Sequence, residues 1–132
     1  MTITPDTNLL VRVVVLDDAA QTEQARAELS MAEAVVLTLP ALCEFCWVLK
    51  SRYRFSSDQL GQAILALMSA ENARYDADAV EAGLAMINAG GDFADAVIAN
   101  QGRRQGSQAF VSFDRQAVTL LTKAGQSARL PA

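Results

Sequence analysis

AVVLTLPALCEFCWVLKSRY, residues 34–53, changes its rule of spacing in the middle. Residues 34–39 (AVVLTL) are rich in β-branched and aliphatic side chains, which reads as a buried strand. Pro40 suits the first turn of a helix, where its missing N–H is not needed. From there Leu42, Phe45, Val48 and Leu49 recur at spacings of three and four, which predicts a helix over roughly 40–53. Glu44 stands among these apolar side chains, between Cys43 and Phe45. Capping does not explain it, and a buried carboxylate without a partner costs several kcal/mol. The sequence therefore predicts that something meets Glu44.

The same alternation extends along the chain. Residues 1–5 (MTITP) predict a short strand that ends at Asp6, with Pro5 tolerable only at its last position. Residues 7–16 (TNLLVRVVVL) fit two readings. The Val13-Val14-Val15 run favours a strand, whereas Asp6 or Asn8 as a cap favours a helix. Asp17-Asp18 marks a turn, and 19–32 form an amphipathic helix. Ser56 and Gln59 form a capping box for a helix over 57–70. Further helices are expected at 76–89, stopped by Gly90-Gly91, and at about 93–105, with Asp92 or a neighbour as cap. AFVSF (109–113) predicts a strand that ends at Asp114, then a helix to about Lys123, and SARLP (127–131) predicts a short edge strand. Strands alternating with helices imply parallel strands joined by crossovers, an α/β fold in one domain over 1–132.

In such a sheet the carboxyl ends of the strands share one edge, where ligands bind. Asp6 and Asp114 each end a strand, Glu44 lies a turn beyond another, and Asp92 and Asp95 open a helix at spacing i, i+3. Taken singly, Asp6, Asp92 and Asp114 read as helix caps and Asp95 as a first-turn acid. Gathered at one edge they would repel each other unless a cation neutralised them. The chain has no histidine, so carboxylates without imidazole point to a hard divalent ion, Mg²⁺ or Mn²⁺.

Composition limits the alternatives. A chain of 132 residues, 52% hydrophobic and 20% charged, builds a sizeable core and is not disordered. The apolar surplus hints at a surface for a partner or for self-association. No apolar run spans a membrane, and the N-terminus does not read as a signal peptide, so a cytoplasmic location is expected. Cys43 and Cys46 lie within a helical pattern, with no second pair to complete a zinc site, and read as inert thiols. A net charge of −4 means that phosphate binding must rest on metal ions or on local cations such as Lys50, Arg52 and Arg54, or Arg103 and Arg104.

Four stretches, DTNLLVR at 6–12, LCEFCWVLKSRYRFS at 42–56, GGDFADAVIANQGRRQG at 90–106 and FVSFD at 110–114, occur in an order and spacing that resemble the PIN-domain ribonucleases, most closely the VapC toxins of toxin–antitoxin pairs. The resemblance covers nearly the whole chain. It implies a PIN-like three-layer fold with a short, mostly parallel central sheet flanked by helices. It also implies a metal-dependent endoribonuclease, in which Asp6, Glu44, Asp95 and Asp114 are the catalytic, Mg²⁺- or Mn²⁺-binding acids. Asn8 matches a polar support for the first acid and Ser112 a hydroxyl position that is commonly Thr. Asp92 matches an acidic position present in only some members. The implied partners are RNA as substrate, a small VapB-like antitoxin and a second copy in a homodimer.

Three other readings compete. A response-regulator receiver would need a phospho-accepting Asp after a later apolar strand, and the surroundings of Asp58 are no such strand. A phosphatase that uses Asp6 as nucleophile wants an acid where Asn8 stands. A catalytically silent PIN-like domain that only binds a partner would not need all four acids.

Overall fold

β1 (Thr2–Ile3) hands over to α1 (Thr7–Val14) through Asp6, and this junction decides the ambiguous segment. The Asp6 carboxylate accepts a hydrogen bond from the Leu9 N–H at 2.9 Å, which caps the helix. Helix wins over the valine run because it buries Leu10, Val11 and Val15 on one side, at spacings of one, four and five. The computed structural model describes all 132 residues and gives an α/β chain of seven helices and five short strands. It divides into two compact units, Met1–Asp76 and Ala77–Ala132.

In the first unit α2 (Ala19–Met31), β2 (Ala34–Val36), α3 (Leu39–Tyr53), α4 (Ser57–Met68) and β3 (Ala73–Arg74) follow. The three strands pair in the order β1-β2-β3, all parallel, with Ile3 opposite Val35 and Val36 opposite Arg74. Pairs of helices supply the crossovers, as the alternating pattern predicts. The strand expected at 34–39 stops at Val36, because the Thr38 hydroxyl accepts from the Ala41 N–H and starts α3 early. Leu42, Phe45, Cys46 and Leu49 form its buried face. The expected capping box is present: the Gln59 N–H reaches Ser56 Oγ at 3.2 Å and the Ser56 N–H reaches Gln59 Oε1 at 2.8 Å.

β3 was not expected. It is two residues long with no apolar run, and its hydrogen bonds come from the far edge of β2: the Val35 N–H donates to Asn72 O and the Leu37 N–H to Arg74 O, both at 2.8 Å. The Asn72 side chain donates to the Leu29 and Ala32 carbonyls, tying this segment to the end of α2.

The second unit contains α5 (Ala77–Asn88), α6 (Phe93–Arg104), β4 (Phe110–Val111), α7 (Arg115–Lys123) and β5 (Ala128–Arg129). α5 and α6 pack closely at Gly83, where a Cβ would come within 2.5 Å of the Phe93 ring. Gly90 turns the chain between them with φ of +91°. Met86, Ala96, Ala99 and Leu121 form the apolar cluster that joins α5, α6 and α7. Asp114 departs from the shared sheet edge expected for it. The strand before Asp114 pairs in parallel with Ala128–Arg129 in a two-stranded sheet of its own. The SARLP segment takes the Phe110 and Ser112 N–H groups, so this acid is not positioned by a common sheet edge. No helix is long and apolar enough to cross a membrane.

Candidate metal centre

The second unit gathers acids. Asp92, Asp95 and Asp114 each offer a carboxylate oxygen, and the three oxygens lie within 4.8 Å of one another. Two local devices bring them there. The turn at Gly90 and Gly91, where the Gly91 N–H closes on Met86 O at 2.8 Å, starts α6 so that Asp92 and Asp95 share its first turn. The α7 cap fixes the third acid: Asp114 Oδ1 accepts from the Ala117 N–H at 3.1 Å, while the Ser112 hydroxyl accepts from the Asp114 N–H at 3.0 Å.

Asp114 is thus both cap and cluster member, since a carboxylate has a second oxygen to offer. Asp92 departs from the cap expectation. It has the backbone of an N-cap, but its side chain makes no cap hydrogen bond. The acid that the sequence placed at the margin of the site is one of the three that converge.

Asp95 is half-buried and the other two are exposed. Burial raises the Asp95 carboxyl above its ordinary value, and the charges of Asp92 and Asp114 push it the same way. All three causes disfavour its ionised form, and all three are relieved by a cation among the oxygens. The donors are oxygens only, with no imidazole or thiolate, so the set fits Mg²⁺ or Mn²⁺.

Asp6 and Glu44 belong to the first unit. Asp6 is exposed at the start of α1, with its Oδ1 on the Leu9 amide, and Asn8 is exposed two residues further on. Glu44 also departs from expectation. It was expected inside the apolar face of α3, but it is exposed. The buried face runs through residues 42, 45, 46 and 49, which turns position 44 outward together with Trp47. An unmet buried charge is therefore no argument for its role.

Arg12, the last residue of the DTNLLVR stretch, is a further polar group that the structure brings against α3. Its guanidinium donates to Tyr53 Oη at 2.8 Å and to Asp17, and the Tyr53 bond is the largest reason that its proton is held more tightly than usual. With Asn8, Arg52 and Tyr53 it lines an open cleft of about 490 Å³. Its spacing of four from Asn8 on one helix was the available signal. The cysteines behave as inert thiols. Both are free, and burial pushes Cys43 up and Cys46 up to about 12, far from a reactive thiolate.

No curated protein matches the sequence. A protein family does: the PIN domain matches residues 3–120, a span that takes in every acid discussed above. PIN domains are generally nucleases, which agrees with an acidic, histidine-free site and a short parallel sheet. The chain belongs to the PIN domain family.

Proposed function

We propose that this chain is a metal-dependent endoribonuclease that hydrolyses RNA phosphodiester bonds, and that it is the toxin of a toxin–antitoxin pair neutralised by a small VapB-like antitoxin. The observation that carries the nuclease reading is the convergence of Asp92, Asp95 and Asp114 within 4.8 Å in a PIN-family chain without histidine. In this reading residues 1–132 work as a single domain in the cytoplasm, as a homodimer.

In this reading Asp6, Glu44, Asp95 and Asp114 would hold Mg²⁺ or Mn²⁺, with Asn8, Ser112 and Asp92 as supports. When bound, the ion supplies positive charge to the phosphate and the acidity that makes water a nucleophile near neutral pH. The protein's own part is positioning. The α1 and α7 caps fix the backbone of Asp6 and Asp114, and the Ser112 hydroxyl holds the turn before Asp114. Asp95 is kept in a drier place, where its charge acts more strongly on a cation than in water. Cations at the end of α3 (Lys50, Arg52, Arg54) meet neighbouring phosphates, so a chain of net charge −4 can bind RNA.

The test is cleavage of total RNA by purified protein freed of any small co-purifying protein. Cleavage is expected with Mg²⁺ or Mn²⁺, and loss is expected in excess chelator and in Asp6→Asn. Activity that survives either change would overturn the metal-nuclease reading. Harmless expression in a bacterial host without a partner would remove the toxin role, and a sedimentation mass of one 14.1 kDa chain would remove the dimer.

A further inference from the structure

The chain has eight aromatic residues, one Trp, two Tyr and five Phe. Six are buried or half-buried. The two exposed ones are Trp47, with 67% of its surface open, and Phe113, with 87%. Both stand next to a candidate acid. Trp47 lies three residues after Glu44 on α3, and Phe113 immediately precedes Asp114.

Neither placement serves the fold in the usual way. Phe113 occupies the position before the α7 cap, where an apolar side chain ordinarily folds down onto the helix as a staple. Its exposure shows that it does not. Trp47 leaves the buried face of α3 and joins an exposed ridge with Glu44 and Lys50. Residues three or four apart on a helix are neighbours, so this ridge presents a carboxylate, a flat aromatic and then a cation over roughly 9 Å of helix, with Arg54 just beyond the helix end as its left-handed C-cap. Unpaired RNA needs that sequence of groups: charge for phosphates and an aromatic face for an unstacked base.

We infer that Trp47 and Phe113 are the stacking platforms for unpaired bases of the RNA, one beside Glu44 and one beside Asp114. Duplex RNA keeps its bases stacked on one another and offers neither aromatic a face. This rests on the nuclease reading for the identity of the acids, but binding can be measured apart from cleavage.

Trp47 is the only tryptophan, so its emission reports on its own contact. In Asp95→Asn protein, a short unpaired oligoribonucleotide is expected to quench that emission, and the same strand annealed to its complement is not. In otherwise wild-type protein, Trp47→Ala and Phe113→Ala are each expected to raise KM for the unpaired strand between roughly fivefold and a hundredfold. Melting temperatures should hardly move, since both side chains are exposed. Trp47→Phe and Phe113→Tyr should restore KM, while Trp47→Leu and Phe113→Leu should not. Emission indifferent to RNA, leucine variants as good as aromatic ones, or emission that changes with protein concentration alone would each overturn the inference, the last by showing a second copy over Trp47. Quenching without cleavage in any variant would sink the nuclease reading and leave the platforms standing. Cleavage that is insensitive to all six substitutions would do the reverse.

Discussion

Asp95→Asn separates what the acidic cluster does for stability from what it does for chemistry. Asp95 faces Asp92 and Asp114 across 4.8 Å or less. Each pair of full charges at that distance repels by about 0.9 kcal/mol in a water-like dielectric and about 3.5 kcal/mol at an effective value of 20. Asp92 and Asp114 are exposed, which favours the lower figure, so removing the Asp95 charge relieves about 2 kcal/mol for the two pairs together. With about 2.1 cal/mol/K of unfolding entropy per residue, a chain of 132 residues shifts its melting midpoint by about 4 °C per kcal/mol. Asp95→Asn should therefore melt about 7 °C above wild type in chelator at mildly alkaline pH.

The pH dependence has a definite sign. The Asp95 carboxyl titrates higher in the folded protein than when unfolded, so the folded state binds the extra proton. Wild-type stability then falls as pH rises through the window between the unfolded and the raised folded value. Below that window Asp95 is protonated in both states, and the advantage of the variant should vanish. A saturating divalent ion should reverse the order. At free ion about 100 times its dissociation constant, wild type gains about 2.7 kcal/mol, or about 10 °C, and the variant gains much less. Thermal melts in chelator and in Mn²⁺ across a pH series measure all of this. A variant that melts below wild type in chelator at every pH would refute the reasoning, because it would mean that the ionised carboxylate stabilises the empty cluster.

Three further outcomes follow from local geometry. Asp6→Asn should keep the α1 cap and melt within a few tenths of a kcal/mol of wild type, whereas Asp6→Ala should lose about 1 kcal/mol; both should abolish RNA cleavage if Asp6 is a metal ligand. Gly83→Ala should destabilise by about 1–3 kcal/mol in denaturant unfolding, although alanine is the better helix former, because its Cβ would meet the buried Phe93 ring at 2.5 Å. Asp78→Ala should cost about 1–3 kcal/mol in the same assay, because Asn100, only 2% exposed, would lose the carboxylate oxygen that it reaches at 2.7 Å.

The features legible in the sequence are those decided within a turn or two of chain. Ser56 with Gln59, Asp6 with Leu9 and Asp114 with Ala117 are contacts across three residues; the sequence alone locates the Ser56 and Asp114 caps and offers Asp6 beside Asn8 for the third. The apolar spacing of α3 and the stop at Gly90-Gly91 are of the same kind, and the missing histidine already removes imidazole from any site. Tertiary structure decided the rest. TNLLVRVVVL could have been strand or helix until burial of Leu10, Val11 and Val15 selected the helix. β3 exists because the edge of β2 hydrogen-bonds to it, from residues almost forty positions away. Glu44 is exposed because the face of α3 that meets the core runs through Cys46. Asp92, Asp95 and Asp114 stand together because two helix starts from different parts of the chain bring them there. Caps and periodicity depend on neighbours along the chain and can be read from it. Strand pairing, exposure and the meeting of like charges depend on partners distant in sequence, and only the folded chain supplies those.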